Sequence, residues 1–205
     1  KSVELKSVGV STLSARKIWF DDNVQRLNVD GRGKFLGDFK AEDKILTINV
    51  KAIIELKTFD ISNHFDDNML LIEQLNTKKP ISAIYFNGNK KTYFVKRFIV
   101  DNKTVKFNFI SEHKDSYLEI ITTDWRPQVE VVFVKEKGKD RKTQIINIEE
   151  FISVKGAKAM GNKLTSKNVK EINLLEPLAF DEVQEIVDSE SDEVLATEEI
   201  ELNIT

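Results

Sequence analysis

The sequence predicts an all-β protein built from several small antiparallel sheets, and three observations carry that reading. Apolar and polar residues alternate over short runs, thirteen Phe accompany frequent Ile and Val, and turn-forming residues separate the runs. Alternation at period two puts successive side chains on opposite faces of a strand. β-Branched and aromatic side chains fit a pleated surface.

Taken in order, Asp21-Asp22 reads as a turn between Phe20 and Val24. Leu46, Ile48 and Val50 alternate in one strand, and Ile54, Leu56 and Thr58 in the next, across a short connection at Lys51. Tyr93, Val95, Arg97 and Ile99 form a third alternating run and Val129, Val131 and Phe133 a fourth. Asp30-Gly31, Asn87-Gly88-Asn89 and Lys137-Gly138-Lys139-Asp140 supply the positive φ that tight turns require. Hairpins near residues 51, 88 and 138 recur at the spacing of four-stranded blades, three full units and part of a fourth. An all-β sandwich satisfies the same spacing, so both architectures stay open at this point.

Composition bounds the function. The 205 residues are 40% hydrophobic and 32% charged, as expected of a soluble folded chain with room for one large domain or two small ones. The formal charge is -3, but the ten carboxylates from Asp181 onward have no Lys or Arg among them. Residues 1–180 therefore hold 24 acidic against 31 basic side chains, a balance of +7. A basic body invites a polyanion. The segment after Pro177, with Phe180, Val183, Ile186 and Val187 at near-helical spacing, allows a short helical turn but reads chiefly as a disordered acidic tail. The expected division is a folded domain over 1–178 and a tail over 179–205.

The absence of cysteine rules out disulfides, thiolate metal sites and a Cys nucleophile, and suits a reducing compartment. No apolar run approaches the roughly 20 residues of a membrane helix, and no signal-peptide pattern opens the chain. No membrane partner is expected. Because position 1 is Lys, the chain reads as a segment of a longer protein.

Candidate chemistry is sparse. His64 stands beside Asp66 and Asp67, and His113 is the other histidine; neither has a partner at metal-ligand or triad spacing, and a surface loop accounts for His64. Gly156 to Gly161 has the gap of a phosphate-binding loop, yet Asn162 and Leu164 stand where the loop's Lys and its magnesium-binding hydroxyl belong. Gly31-Arg32-Gly33-Lys34 is too short for a dinucleotide motif. No catalytic residue, metal site or cofactor is expected. What recurs instead is basic pairs: Arg16 and Lys17, Arg32 and Lys34, Lys78 and Lys79, Lys90 and Lys91, Lys96 and Arg97, Arg141 and Lys142, then Lys155, Lys158 and Lys163. Placed at turns and strand ends, they could meet phosphates without regard to base sequence.

The runs "STLSARKIWFDDNVQRLNVDGRGKFLGDF", "FDISNHFDDNMLLIE", "YFVKRF" and "FISVKGAKAMGNKLTS" followed by "EINLLEPL" resemble the C-terminal domain of bacterial type IIA topoisomerase A subunits, those of topoisomerase IV most closely. The likeness spans nearly all of residues 1–178. It implies a β-pinwheel, a propeller-like ring, open or closed, of about three to four four-stranded blades that exchange strands. It further implies that double-stranded DNA bends around a basic outer rim, in a bacterial cytoplasm and close to the nucleoid. On that resemblance Arg16, Lys17, Arg32, Lys34, Lys96 and Arg97 face phosphate, with Lys57, Arg141, Lys142, Lys155, Lys158 and Lys163 as further contacts. Trp19 and Phe20 pack between sheets.

The parent enzyme would join an A-subunit dimer to an ATPase B subunit. Other regions would supply ATP, Mg2+ and the catalytic tyrosine, leaving Tyr85, Tyr93 and Tyr117 structural. The glycine- and arginine-rich box of gyrase A subunits is missing, since Gln25-Arg26-Leu27 departs from it after two residues. This implies decatenation and relaxation rather than supercoiling. A gyrase A wrapping domain and a protein-binding β-propeller module are the alternatives.

Overall fold

The computed structural model describes residues 15–104, 106–139 and 141–180. Within them the chain forms four small antiparallel sheets. The first holds β1 (Arg16–Asp21), β2 (Arg26–Asn28) and β3 (Lys34–Phe39) in the order β2-β1-β3. In the second, β4 (Ile45–Asn49), β5 (Ile53–Lys57), β6 (Met69–Gln74) and β9 (Phe107–Asn108) run in the order β6-β4-β5-β9. The third joins β7 (Ile81–Asn87), β8 (Thr92–Phe98), β10 (Tyr117–Thr122) and β13 (Asn162–Lys163) as β10-β7-β8-β13. The fourth contains β11 (Gln128–Phe133), β12 (Gln144–Asn147) and β14 (Val169–Leu175) as β12-β11-β14, beside a single helical turn, α1 (Ile148–Phe151).

These orders hide one repeated path. Each unit opens with a hairpin: β1-β2, β4-β5, β7-β8 and β11-β12. From the second unit onward the chain then reaches back to the preceding sheet before returning to its own. β9 thus pairs with β5 and β13 with β8, while His64 makes an isolated bridge to Arg26 of β2. The return strands β6, β10 and β14 close on β4, β7 and β11. Blades that exchange strands are the architecture implied by the resemblance, and the open choice between blades and a sandwich is resolved in their favour.

The reach-back segments end alike. Immediately after its paired residue each buries an apolar side chain, Phe65, Phe109 or Leu164. The amides of these residues donate to the carbonyls of Gln25 (3.1 Å), Ala52 (3.1 Å) and Tyr93 (2.9 Å). One segment therefore satisfies backbone groups along a strand edge and fills the gap between two sheets.

The core lies between sheets rather than within any one of them. Ile18, Phe20, Leu27 and Phe39 of the first sheet meet Ile45, Ile72 and Phe65. Leu46, Ile48 and Ile54 of the second meet Ile81, Ala83, Phe98 and Phe109. Ile84 and Val95 of the third meet Val129, Val131, Phe133 and Ile172 of the fourth.

Burial patterns follow from this order. β4 and β7 are buried on both faces, whereas β1 and β11 alternate. A middle sheet has a neighbour on each side and an end sheet has one. Hence β4 and β7, central in the middle sheets, lose both faces to packing, while the outer strands β6 and β10 keep exposed side chains at Leu70 and Tyr117. On the uncovered side of the first sheet Trp19 rests against Phe35, ring centroids 5.0 Å apart, and Phe35 stays exposed. Of the aromatic pair expected between sheets, only Phe20 is there.

Gly161 shows how closely the exchanged strands approach. Its φ is +90°, and a Cβ would collide with the carbonyl oxygen of Val95 on β8. Gly161→Ala should cost at least about 2 kcal/mol in urea unfolding and speed exchange of the Leu164 amide, which bonds to Tyr93. Gly156→Ala, where a Cβ meets nothing within 4 Å, should stay within about 0.5 kcal/mol of the parent. Equal effects at the two glycines would contradict this account of strand exchange.

Candidate nucleic-acid interface

The predicted cations fall into three groups. In the first two units Arg16, Lys17 and Arg32 are exposed, Arg32 making a 3.4 Å ion pair with Asp30 across its loop. Asn28 shapes that loop: its carboxamide oxygen accepts from the amides of Asp30 and Arg32, and its NH2 donates to the Arg32 carbonyl at 2.9 Å. Lys34 reaches from β3 to the Ile72 carbonyl of the next sheet at 2.9 Å. Lys57 donates to the His64 carbonyl at 3.1 Å and lies 5.0 Å from the Phe65 ring centre. Nearby, the amide and hydroxyl of Ser62 hold the Asp60 carboxyl below its usual range, with a smaller contribution from Arg16.

The second group surrounds β8. Lys96 and Arg97 are neighbours in a strand and therefore face opposite ways. Both are buried, at 3% and 7% exposure. Lys96 looks toward the second sheet, where its ammonium donates to the Phe109 carbonyl and, at 2.6 Å, to the Ala157 carbonyl, between the Phe98 and Phe109 rings. Arg97 looks toward the fourth, donating to the Trp125 carbonyl at 2.7 Å with Glu149 at 3.9 Å. Where an outer rim was expected for this pair, both cations sit inside the fold, bonded to the backbone of the adjoining segments.

Lys155, Lys158 and Lys163 lie on the reach-back segment beside this strand. All three are exposed, and Lys155 donates to Asn162 at 3.0 Å. Lys158 and Lys96 share the wall of a cavity of about 360 Å³ with Lys90.

The third group is Arg141 and Lys142 at the start of β12's approach, where Arg141 pairs with Glu136 and Lys142 is exposed. His64 serves through its backbone, as the bridge to Arg26 and as acceptor for Lys57. Among the described residues no three His, Asp or Glu gather as a metal site. Tyr85 donates to the Met160 carbonyl at 3.0 Å, and the Tyr93 and Tyr117 hydroxyls bond each other at 2.7 Å.

Burial pushes the Lys96 ammonium down to about 8, from an ordinary 10.5. Between those values the unfolded chain binds the proton and the folded chain does not, so stability rises with pH across that window. Below it the full desolvation cost of the charged form is present. The difference is at most about 3 kcal/mol. Comparing urea unfolding at pH 7.5 and 10.5, the parent should gain up to that amount relative to Lys96→Met, other titrating groups cancelling in the difference. Identical pH dependence in the two proteins would rule out a buried charge at Lys96.

The comparisons bear on what these cations serve. The sequence model of the family described as "Topoisomerase C-terminal domain, Bacteroidota" matches residues 26–176. No curated protein matches the chain. The match runs from β2 through β14, leaving out only β1 of the described strands, and covers well over half of the sequence; the chain belongs to this family of topoisomerase C-terminal domains.

Proposed function

We propose that this chain is the DNA-binding and DNA-bending domain of a type II topoisomerase, from an A subunit of the topoisomerase IV type. It engages duplex DNA by phosphate contacts from exposed cations and presents the transported segment for decatenation and relaxation. The observation that carries this reading is a topoisomerase C-terminal domain whose residues 1–180 hold seven more basic than acidic side chains. Bending a short duplex by 40–90° costs on the order of 1–6 kcal/mol, a load several distributed cationic contacts can offset. The parent would act in the bacterial cytoplasm with Mg2+ and an ATPase partner, both engaged through other regions.

In this reading Arg16, Lys17, Arg32, Lys142, Lys158 and Lys163 contact phosphate. Lys96 and Arg97, buried between sheets, make no contact from the outer surface. Fluorescence anisotropy with a short duplex across ionic strength tests it: affinity should fall steeply with salt and vary little with base sequence. Arg16→Gln/Lys17→Gln should flatten the log K against log salt slope by up to about 1.8, roughly 0.9 per lost contact. A duplex affinity that ignores salt would sink the reading and favour a protein-binding module.

The acidic segment supplies a second reading, because its point of departure is anchored. The Leu178 amide donates to the Arg126 carbonyl at 2.9 Å, Arg126 donates to the Ala179 carbonyl at 3.1 Å, and Trp125 stacks on Phe180 with centroids 4.5 Å apart. Residues 181–205 lie outside the described residues. Starting from that corner, their ten carboxylates can compete with DNA for the cations, as an electrostatic brake. Ending the chain at Phe180 should tighten duplex binding at low salt and have little effect at high salt; unchanged affinity at low salt would remove the brake.

A further inference from the structure

The cavity beside β8 is walled by one hairpin and two exchanged segments, which come from different parts of the sequence. The β7-β8 hairpin brings Asn89 and Lys90, the segment that reaches back to β5 brings Ser111, and the segment that reaches back to β8 brings Lys158. Lys96 closes it from within the fold. Three ammonium groups line this space and no carboxylate does. Of two other cavities, one carries Glu73 and the other Asp22 and Asp67.

The polar groups around it are set to donate. A lysine ammonium has three N–H groups; two of those on Lys96 go to the Phe109 and Ala157 carbonyls, leaving one. The Ser111 hydroxyl oxygen accepts from Asn89 at 3.3 Å and from the His113 amide at 3.4 Å, so its own proton is free to point outward. Lys90 and Lys158 are exposed at the rim. The volume of about 360 Å³ falls within the roughly 300–1,000 Å³ of ligand sites.

We propose that this cavity is a phosphate seat, in which Lys90 and Lys158 clamp a phosphate of the DNA backbone from the rim while Lys96 and Ser111 donate to it from the floor. It rests on the reading that the chain binds duplex DNA. It gives that reading a fixed point: one phosphate held in a built site, the remainder met by scattered surface cations. An anion on the floor also offsets the desolvation that depresses Lys96. Strand exchange thereby creates a binding site that no single unit contains.

The test uses the 205-residue chain, its amide spectrum, a short duplex and, separately, inorganic phosphate. With duplex, the amides of Asn89 and Ser111 should shift. Lys90→Gln/Lys158→Gln should weaken duplex binding about tenfold and reduce the salt slope by about one to two. Lys78→Gln/Lys79→Gln removes the same charge at the opposite end of β7 and should do markedly less. Thermal melts of both variants should match the parent, since no side-chain bond of Lys90 or Lys158 holds the fold among the described residues.

The two readings fail in different ways. If duplex binds but the two double variants lose equally and the Asn89 and Ser111 amides stay still, the seat is wrong and general DNA binding stands. If inorganic phosphate moves those amides and duplex does not, the site holds a free phosphate and its assignment to DNA is overturned. If neither moves them, there is no seat.

Discussion

Everything in this fold depends on the antiparallel pairing of a reach-back segment with the sheet before it. Without β9 on β5, β13 on β8 and the His64 bridge to β2, each unit is a three-stranded sheet with an open edge and an uncovered apolar face. Phe65, Phe109 and Leu164 then have nowhere to go. The three hydrophobic clusters all lie between consecutive sheets. Stability is therefore shared between neighbours, as in repeat proteins whose units contact chiefly the next unit. The pairings are also non-local, joining Ile54 to Phe107 and Val95 to Asn162, so closing them slows folding.

Lysine is used to secure these segments. Lys57 donates to the carbonyl of His64 and Lys96 to that of Phe109, each binding the reach-back segment that its own unit sends out. Each also lies over the aromatic ring that the segment buries, at 5.0 and 5.6 Å. Arg97 faces the other way and fastens the third sheet to Trp125 and Glu149. Burying such charges is a poor source of stability by itself, because desolvation opposes the hydrogen bonds gained. Its effect is to define which backbone sits where, and so to keep the exchanged segments in register.

That division of labour shapes the route from structure to function. Cations consumed by the fold cannot also meet a polyanion from the surface, so the contacts available to DNA are chiefly those on loops and on the exchanged segments themselves. Lys90 on a hairpin and Lys158 on a segment from the following unit become neighbours only because the sheet between them is shared. A domain assembled in this way ties its binding surface to the integrity of the exchange, and loosening one joint disturbs both.

Period-two alternation, the turn residues and the wealth of Phe, Ile and Val made the all-β class and three of the hairpins legible, because those signals act between residues close in sequence. The charge division at Asp181 was legible for the same reason. The fate of Lys96 and Arg97 was not: alternation in β8 separates two faces, but both faces are covered, and only the packing of the second and fourth sheets against the third says so. Nor could spacing reveal that Gly161 stands against β8, or that Asn89, Ser111 and Lys158 line one cavity. Local propensity determined which residues extend and where they turn. Which strands pair, and hence which charges face water, was decided by tertiary structure, because burial depends on neighbours that arrive from distant points along the chain.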